Sequence, residues 1–284
     1  MKNILLLTDF SDLSEYAKIL SDKVGVNLGA TLHVLKIIDV PSIVNVKSDC
    51  EIFSNEYDTK VYQLEHELSL KRMPDLIKNL ESKVKFSVVY GEMLDRITSY
   101  IEDNNIELVV MGTNEISSAK EMISGSLTQQ IILNNKVPVL SLKCELGDVC
   151  FTNFLVTGDF ESQEEMNFDV IKGLQKVFNS KIHLLTVNTR LNLGATSDSL
   201  KKMEKFVEIN NLLNVEYHIH SDETTEEGIV NFANNYDKNN DLDIDLIAVE
   251  KKNTSTVKYW FTGSDAINYV NHIYRPIITY LNKN

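Results

Sequence analysis

Two stretches of sequence decide how this chain is organised, NILLLTDFS at residues 3–11 and NFLVTGDFE at residues 153–161. Each is an apolar run that ends in an Asp-Phe pair. Further landmarks follow in the same order in both halves, namely LHVL at 32–35 and IHLL at 182–185, Gly-Ser at 125–126 and 263–264, and VPVL at 137–140 and RPII at 275–278. This shared order predicts that the chain contains the same domain twice.

The spacing of apolar residues in the first half predicts alternating strands and helices. Residues 3–8 are apolar without alternation, which is typical of a strand buried on both faces. Residues 12–27 carry apolar side chains at helical spacing along one face. The same reasoning predicts strands at 31–38, 85–90, 107–111 and 137–142, helices at 54–79, at 93–104 and from Gly125-Ser126 onward, and a loop at 41–53.

The second half repeats this order, with strands predicted near 153–157, 181–187, 214–220, 244–249 and 276–281. Regular alternation of strands and helices implies a parallel sheet with helices on both faces. We therefore expect an α/β protein of two tandem doubly wound domains, each with a mostly parallel five-stranded sheet. The predicted domains cover 1–146 and 151–284, joined by a polar link near 144–152. Since this link is short, we expect the domains to pair as an intramolecular pseudo-dimer along their last strands.

Composition argues against several classes of protein. The 284 residues carry a net charge of −13, which argues against nucleic acid as a partner, because phosphate backbones attract clustered Lys and Arg. No apolar stretch approaches the roughly 20 residues of a membrane helix, and Asp9 interrupts the first apolar run too early for a secretory signal. Cys50, Cys144 and Cys150 lack metal-binding spacing and are read as reduced thiols, so we expect a cytoplasmic protein.

In parallel sheets, ligands bind beyond the carboxyl ends of the strands, at the point where the strand order switches. In the first half, the residues that follow strands are Thr8 and Asp9, Asp39 and Val40, and Gly112 and Thr113. Gly125-Ser126 opens the next predicted helix, where backbone amides at a positive helix end would bind an anion.

Taken together, these residues resemble the universal stress protein family. The resemblance rests on TDFS at 8–11, VMGT at 110–113, Gly125-Ser126 before a helix and VPVL at 137–140, and a weaker match covers 151–284. It implies a role in stress adaptation, a five-stranded α/β domain, dimer formation and, in one branch of the family, binding of ATP or another adenine nucleotide. The residues that it implies for nucleotide binding are Thr8, Asp9, Val40, Met111, Gly112, Gly125, Ser126 and Leu127.

Within this set, the resemblance implies that Asp9 meets the adenine and that Val40 lines the base pocket. Gly112 would let the backbone approach the ribose and phosphates, while residues 125–127 would supply amides and a hydroxyl to the phosphates. The chain departs from the family pattern at Glu115, which takes the place of a glycine. A carboxylate about 4 Å from a phosphate costs roughly 1 kcal/mol in water and about 4 kcal/mol when partly buried.

The second half departs further from the pattern. Glu250 and Asn253 stand at two of the glycine positions, although Asp159, Gly263 and Ser264 remain. We therefore expect any ligand in the first half and a decayed site in the second.

Three functions remain open from the sequence. The first is a binding protein in which a small ligand tunes partner contacts, and the second is a scaffold that binds no nucleotide and acts through its surfaces. The third is slow ATP hydrolysis, for which the sequence has neither a Gly-x-Ser-x-Gly elbow nor a P-loop, so no catalytic residue is assigned. His218 and His220 alternate on one strand face without an evident Cys, Asp or Glu cluster, so no metal site is expected.

Overall fold

The computed structural model describes residues 1–54, 58–112, 127–142, 151–161, 166–190, 196–240, 243–251 and 275–281, with backbone alone for 235–240. The chain divides into two compact units, Met1–Gly112 and Thr113–Asn284. Among the helices so described, none combines the length and the hydropathy that a bilayer crossing requires. The predicted domain boundary near 144–152 falls mostly on residues outside these ranges and stays a prediction.

The first unit is built on a parallel sheet. In chain order its described elements are β1 (Asn3–Leu7), α1 (Asp12–Leu28), β2 (Thr31–Asp39), β3 (Asn45–Ser48), β4 (Glu51–Phe53), α2 (Lys60–Ile77), β5 (Lys83–Gly91), α3 (Met93–Asp103) and β6 (Leu108–Gly112). The sheet has the order β6-β1-β2-β5, with every pair parallel. Ile4, Leu5 and Leu6 of β1 are fully buried, as the unbroken apolar run predicts for a central strand.

Local sequence signals set the limits of α1. The Ser11 side chain accepts a hydrogen bond from the Ser14 backbone N–H at 3.3 Å and so caps the first turn. Gly29 ends the helix in the left-handed conformation with φ 62°. The helix then packs against β1, β2 and β6. This packing places the start of α1 over the carboxyl ends of β1 and β6, where a ligand site is expected.

The second unit repeats the design. Its described elements are α4 (Leu127–Asn134), β7 (Val139–Leu142), β8 (Asn153–Thr157), α5 (Asp169–Phe178), β9 (Lys181–Asn188), α6 (Thr196–Asn210), β10 (Val215–Ser221), α7 (Thr225–Asn240), β11 (Leu246–Glu250) and β12 (Ile277–Tyr280). Five strands are parallel in the order β10-β9-β8-β11-β12. β7 joins β12 antiparallel, with Leu140 opposite Ile278.

The strand orders bear out the predicted duplication. The order β6-β1-β2-β5 of the first unit corresponds, strand for strand, to β11-β8-β9-β10 of the second. The predicted α/β class with mostly parallel strands is therefore confirmed. β7 and β12 are the last strands of the two repeats, and their pairing is the one that the predicted seam requires. Whether the complete domains form a pseudo-dimer stays a prediction.

The predicted loop at 41–53 is wrong. Residues 45–53 form a two-stranded antiparallel hairpin of β3 and β4. It is tied to the end of β5, because the Tyr90 backbone N–H donates to the Asp49 carbonyl at 3.2 Å and Asp49 also pairs with Arg96 at 2.5 Å. The sequence does not predict this hairpin because all of β3 is exposed. Such a strand lacks the alternation of apolar and polar residues that marks a half-buried strand.

Candidate functional site at the carboxyl end of β1

The Asp-Phe pair after β1 forms a strained turn. Phe10 has φ 63°, a conformation that costs a residue with a Cβ roughly 1–2 kcal/mol. The turn is held by the Ser11 backbone N–H, which donates to Asp9 Oδ1 at 2.9 Å, and by the Phe10 N–H, which donates to Thr8 Oγ1 at 3.1 Å. Such strain persists only where surrounding contacts impose it, and it concentrates at functional sites. The turn is therefore a candidate ligand contact.

The carboxylate of Asp9 is ionised at neutral pH. Partial burial acts to raise its pKa, but hydrogen bonds from the side chain and backbone of Ser11 outweigh that effect, so the pKa lies below its usual value. Asp9 is exposed at the strand end. It therefore presents a fixed negative charge and a hydrogen-bond acceptor to a ligand that carries an amino or hydroxyl donor.

Strand pairing brings four of the predicted residues to one place. Leu7 is paired with Met111 of β6 on one side and with Leu35 of β2 on the other. Thr8 and Asp9 therefore lie beside Met111 and Gly112 at the carboxyl ends of adjacent strands. The chain leaves β1 toward β2 and β5 and returns on the opposite side as β6, so the order of the sheet switches between β1 and β6. Ligands bind open α/β sheets at such a switch point.

Two of these residues have structural roles as well. The Thr8 hydroxyl is buried and lies 3.1 Å from the Ser14 hydroxyl, which links the strand end to α1. A Cβ on Gly112 would lie 2.7 Å from the backbone carbonyl carbon of Leu13, closer than real Cβ atoms come. The close packing of α1 on β6 is thus enough to require glycine at 112, whether or not a ligand approaches there.

The other predicted residues are not among those that strand pairing brings to this place. Val40 is buried and directly follows β2, the strand that pairs with β1. Leu127 is the first residue of α4, in the second unit. Gly125, Ser126 and Glu115 lie outside the described residues, so the predicted phosphate contacts stay predictions.

Sequence reasoning missed a cation at this strand end. The guanidinium of Arg72, on α2, lies over the Phe10 ring with its central carbon 4.3 Å from the ring centroid. Phe10 is adjacent to Asp9 in the turn, so a positive charge stands beside the candidate site. No sequence signal identifies Arg72, because its position depends on how α2 packs against the sheet.

The corresponding strand end in the second unit is filled by protein. Phe160 repeats the turn with φ 53°, and the Glu161 N–H donates to Asp159 Oδ1 at 3.1 Å. Here, however, the buried Tyr280 hydroxyl donates to the Thr157 carbonyl at 2.7 Å. A Cβ on Gly158 would lie only 2.9 Å from the Tyr280 hydroxyl oxygen.

Aromatic packing completes this filling. The ring centroids of Phe168 and Tyr280 are 4.8 Å apart, and those of Phe206 and Phe160 are 4.9 Å apart. Burial, followed by the charges of Glu250 and Asp159, raises the pKa of Tyr280 well above its usual value, so the hydroxyl keeps its proton. These contacts show that protein side chains pack at this strand end, and the loss of a ligand site in the second half stays a prediction.

The universal stress protein family model matches residues 1–143 of the 284. The chain therefore belongs to the universal stress protein family. It is similar to the universal stress protein MJ0577 of Methanocaldococcus jannaschii, with 30% identity over 158 residues that cover 50% of this chain and 94% of that protein. Universal stress protein MJ0531 of the same organism is 24% identical over 142 residues, covering 50% of this chain and 82% of that protein.

Solved structures of similar fold span the whole chain. A universal stress protein from Archaeoglobus fulgidus covers 98% of this chain and 95% of its own, with a TM-score of 0.68 and 20% identity. At that identity the likeness shows the fold, and its extent agrees with a tandem two-domain arrangement. A universal stress protein solved in complex with cAMP covers 50% of this chain at 16% identity, with a TM-score of 0.39, a likeness too weak to bear on the ligand of this chain.

Proposed function

We propose that this protein is a cytoplasmic stress-response protein whose first domain binds an adenine nucleotide or a related small ligand at the carboxyl end of β1. The observation that carries the proposal is an ionised carboxylate, Asp9, held on a strained turn at the switch point between β1 and β6. A carboxylate there accepts a hydrogen bond from an amino group such as that of adenine. Arg72 supplies a nearby positive charge that favours a phosphate-bearing ligand over a nucleoside.

The proposed role is regulation by binding. A ligand that binds one conformation of the domain more tightly shifts the population toward it and so changes the surface offered to a partner. Slow hydrolysis of ATP is the alternative for the same site. Release of phosphate above background that is abolished by Asp9→Asn would replace the binding role with a catalytic one.

Thermal unfolding of the purified chain with ATP, AMP, cAMP and adenosine tests the proposal. At a ligand concentration 100 times the Kd, binding stabilises the folded state by about 2.7 kcal/mol. Asp9→Asn is the informative variant because the amide oxygen keeps the hydrogen bond from the Ser11 N–H while the charge is lost. We expect it to weaken binding at least about tenfold, the factor that corresponds to 1.4 kcal/mol.

Asp159→Asn is the matched control. It makes the same change in the second unit, where Tyr280 fills the strand end, and should leave the ligand response unchanged. Arg72→Met should weaken ATP and AMP more than adenosine, because the nucleoside lacks the phosphate charge. Absence of any stabilisation of the wild-type chain at millimolar ligand would remove the proposal.

The filled second site favours a second candidate, a scaffold that acts through its surfaces. A strand end occupied by Tyr280 and three phenylalanine rings is a packing unit rather than a ligand cavity. If the first domain also lacks a ligand, native mass spectrometry of the freshly purified chain will show the mass of the polypeptide alone. Retention of a nucleotide would exclude this candidate.

A further inference from the structure

A cluster of two histidines and a glutamate lies on β9 and β10 of the second unit, on residues separate from the proposed ligand site. His183 of β9 is directly opposite Glu216 of β10, and His218 lies two residues further along β10 on the same face. His183 Nδ1 is 2.9 Å from His218 Nε2, and His218 Nε2 is 3.9 Å from Glu216 Oε1. One potential ligand atom from each side chain lies within 4.8 Å of the other two.

The hydrogen bonds of Asn153 fix the tautomer of His183. The Asn153 side-chain amide donates to Thr152 Oγ1 at 3.2 Å and to the Asp243 carbonyl at 3.1 Å, which orients its Oδ1 toward His183. His183 Nε2 lies 3.2 Å from that oxygen and therefore carries the proton. The lone pair of His183 is consequently on Nδ1 and points at His218, whose Nε2–H donates to it. Metal-binding histidines are oriented by outer hydrogen bonds of this kind.

Both imidazoles are neutral at physiological pH. Burial, followed by the charge of His218, lowers the pKa of His183 to about 4, and burial lowers the pKa of His218. Metal ions bind the neutral imidazole, so protons would not compete with a metal near pH 7. Glu216 is also ionised, because its hydrogen bond with Lys181 lowers its pKa.

We propose that His183, His218 and Glu216 bind a divalent transition metal ion, with Zn²⁺ as the best fit. Two imidazole nitrogens, one carboxylate oxygen and a water molecule make a four-coordinate zinc site with an open position. The ion takes the place between the two imidazoles, and the His218 proton moves through solvent from Nε2 to Nδ1, so that both imidazoles stay neutral. No oxidation or other bond change is involved.

The metal requires a small opening of the histidine pair. Two nitrogens bound to zinc at about 2.0–2.1 Å in tetrahedral geometry are about 3.3 Å apart, so the 2.9 Å separation grows by about 0.4 Å. His218 is the side chain that moves, since β10 is the outermost strand of the described sheet in this unit and His183 is held by Asn153. The ring centroids of Phe232 and His218 are 5.0 Å apart, so the Phe232 ring limits the direction in which His218 can move.

The first repeat provides an internal control. His33 is held by Asn3 Oδ1 through Nε2, at 3.4 Å, as His183 is held by Asn153. Its opposite residue on β5 is Lys85, and Ser87 stands where β10 has His218. The Nδ1 atom of His33 instead meets the Tyr100 hydroxyl at 3.2 Å. The ligand set is therefore present in the second repeat and replaced in the first.

Isothermal titration of Zn²⁺ into the untagged, EDTA-treated full chain tests the proposal. We expect one equivalent of zinc to bind at pH 7 with little net release of protons from the imidazoles, which is checked by repeating the titration in buffers of different ionisation enthalpy. His218→Gln should weaken binding at least tenfold, and Asn153→Ala, which removes the orienting contact, about 10- to 100-fold. His220→Gln, on the same strand face but paired with Asp222 at 3.5 Å, is the control and should have no effect.

The Lys181→Met variant tests the proposal through an expected increase in zinc affinity. Lys181 pairs with Glu216 and so competes with a metal for the carboxylate. Its removal should tighten zinc binding, a change that binding at unrelated surface groups would not show. Failure of the wild-type chain to bind zinc, or binding that neither His218→Gln nor Lys181→Met alters, would overturn the proposal.

Discussion

The first strand of each repeat ends in the same Asp-Phe turn, but the side chains that pack near this turn differ between the two repeats. After β1, Asp9 is exposed and Arg72 lies over the ring of the adjacent Phe10. After β8, the equivalent Asp159 belongs to a strand end that the Tyr280 side chain fills from β12. The residue in the corresponding position of β7 is Leu142, which has no hydroxyl group. The comparison shows that both repeats have the Asp-Phe turn, whereas the tyrosine that packs against it from the last strand is present in the second repeat and replaced by leucine in the first.

In a second comparison, of His33 with His183, the candidate metal ligands lie in the second repeat and not in the first. His33 and His183 occupy equivalent positions and are held by equivalent asparagines. Their neighbours across the sheet differ, Lys85 in the first repeat and Glu216 in the second. The two repeats therefore place different side chains around an equivalent histidine.

The largest expected effect is at Tyr280, which is 1% exposed. Tyr280→Ala removes the ring that fills the second strand end and should lower the free energy of unfolding by about 3–5 kcal/mol. Tyr280→Phe keeps the ring and leaves the Thr157 carbonyl without its hydroxyl partner, which should cost about 1–3 kcal/mol. Urea denaturation of both variants measures the difference. Equal losses would mean that the hydroxyl, and not the volume of the ring, maintains this end of the unit.

Gly112 and Gly158 should respond differently to a methyl group. Gly112→Ala places a Cβ against the Leu13 backbone, which cannot move without shifting α1, so we expect a loss of about 1–3 kcal/mol. The Cβ of Gly158→Ala comes too close to the Tyr280 hydroxyl, at 2.9 Å, and makes ordinary contacts with Glu250 and Phe160 at 3.6 Å. Its cost should therefore shrink when it is combined with Tyr280→Phe, and a double-mutant cycle measures that coupling. Strict additivity would contradict the contact.

The smallest expected effect is a pH dependence at His33. Burial, followed by the charge of Lys85, lowers the pKa of His33 in the folded protein. The unfolded chain, with a histidine pKa of about 6.5, binds more protons below that pH, so the stabilising contribution is complete above about pH 6.5 and is lost as the pH falls toward the folded value.

Comparing the unfolding free energy of the wild type and His33→Gln between about pH 7 and 5.5, with EDTA present, isolates this contribution. The wild type should lose more stability than the variant over that interval. Parallel pH profiles would show that His33 does not titrate differently in the folded and unfolded states.

Much of the fold was predictable because it is encoded in short segments. The unbroken apolar run of β1 and the helical spacing after Ser11 gave the strand and the helix to within one or two residues. The hairpin of β3 and β4 was not predictable, since its strands are exposed and it is held by the contact of Asp49 with Arg96 from α3. For the candidate site, local motifs predict Asp9 and Gly112, whereas Arg72 has no local signal because its position depends on how α2 packs.

By itself, the sequence determined the duplication, the α/β class and the turn that follows the first strand of each repeat, because these depend on residues close together in the chain. Only the tertiary structure decided that Tyr280 fills the strand end of the second unit and that the Leu13 backbone requires glycine at 112. It also decided that His183 contacts His218, which lies 35 residues further along the chain. Those outcomes depend on the register of strands far apart in sequence. A one-residue slip of that register would turn each side chain to the opposite face of the sheet.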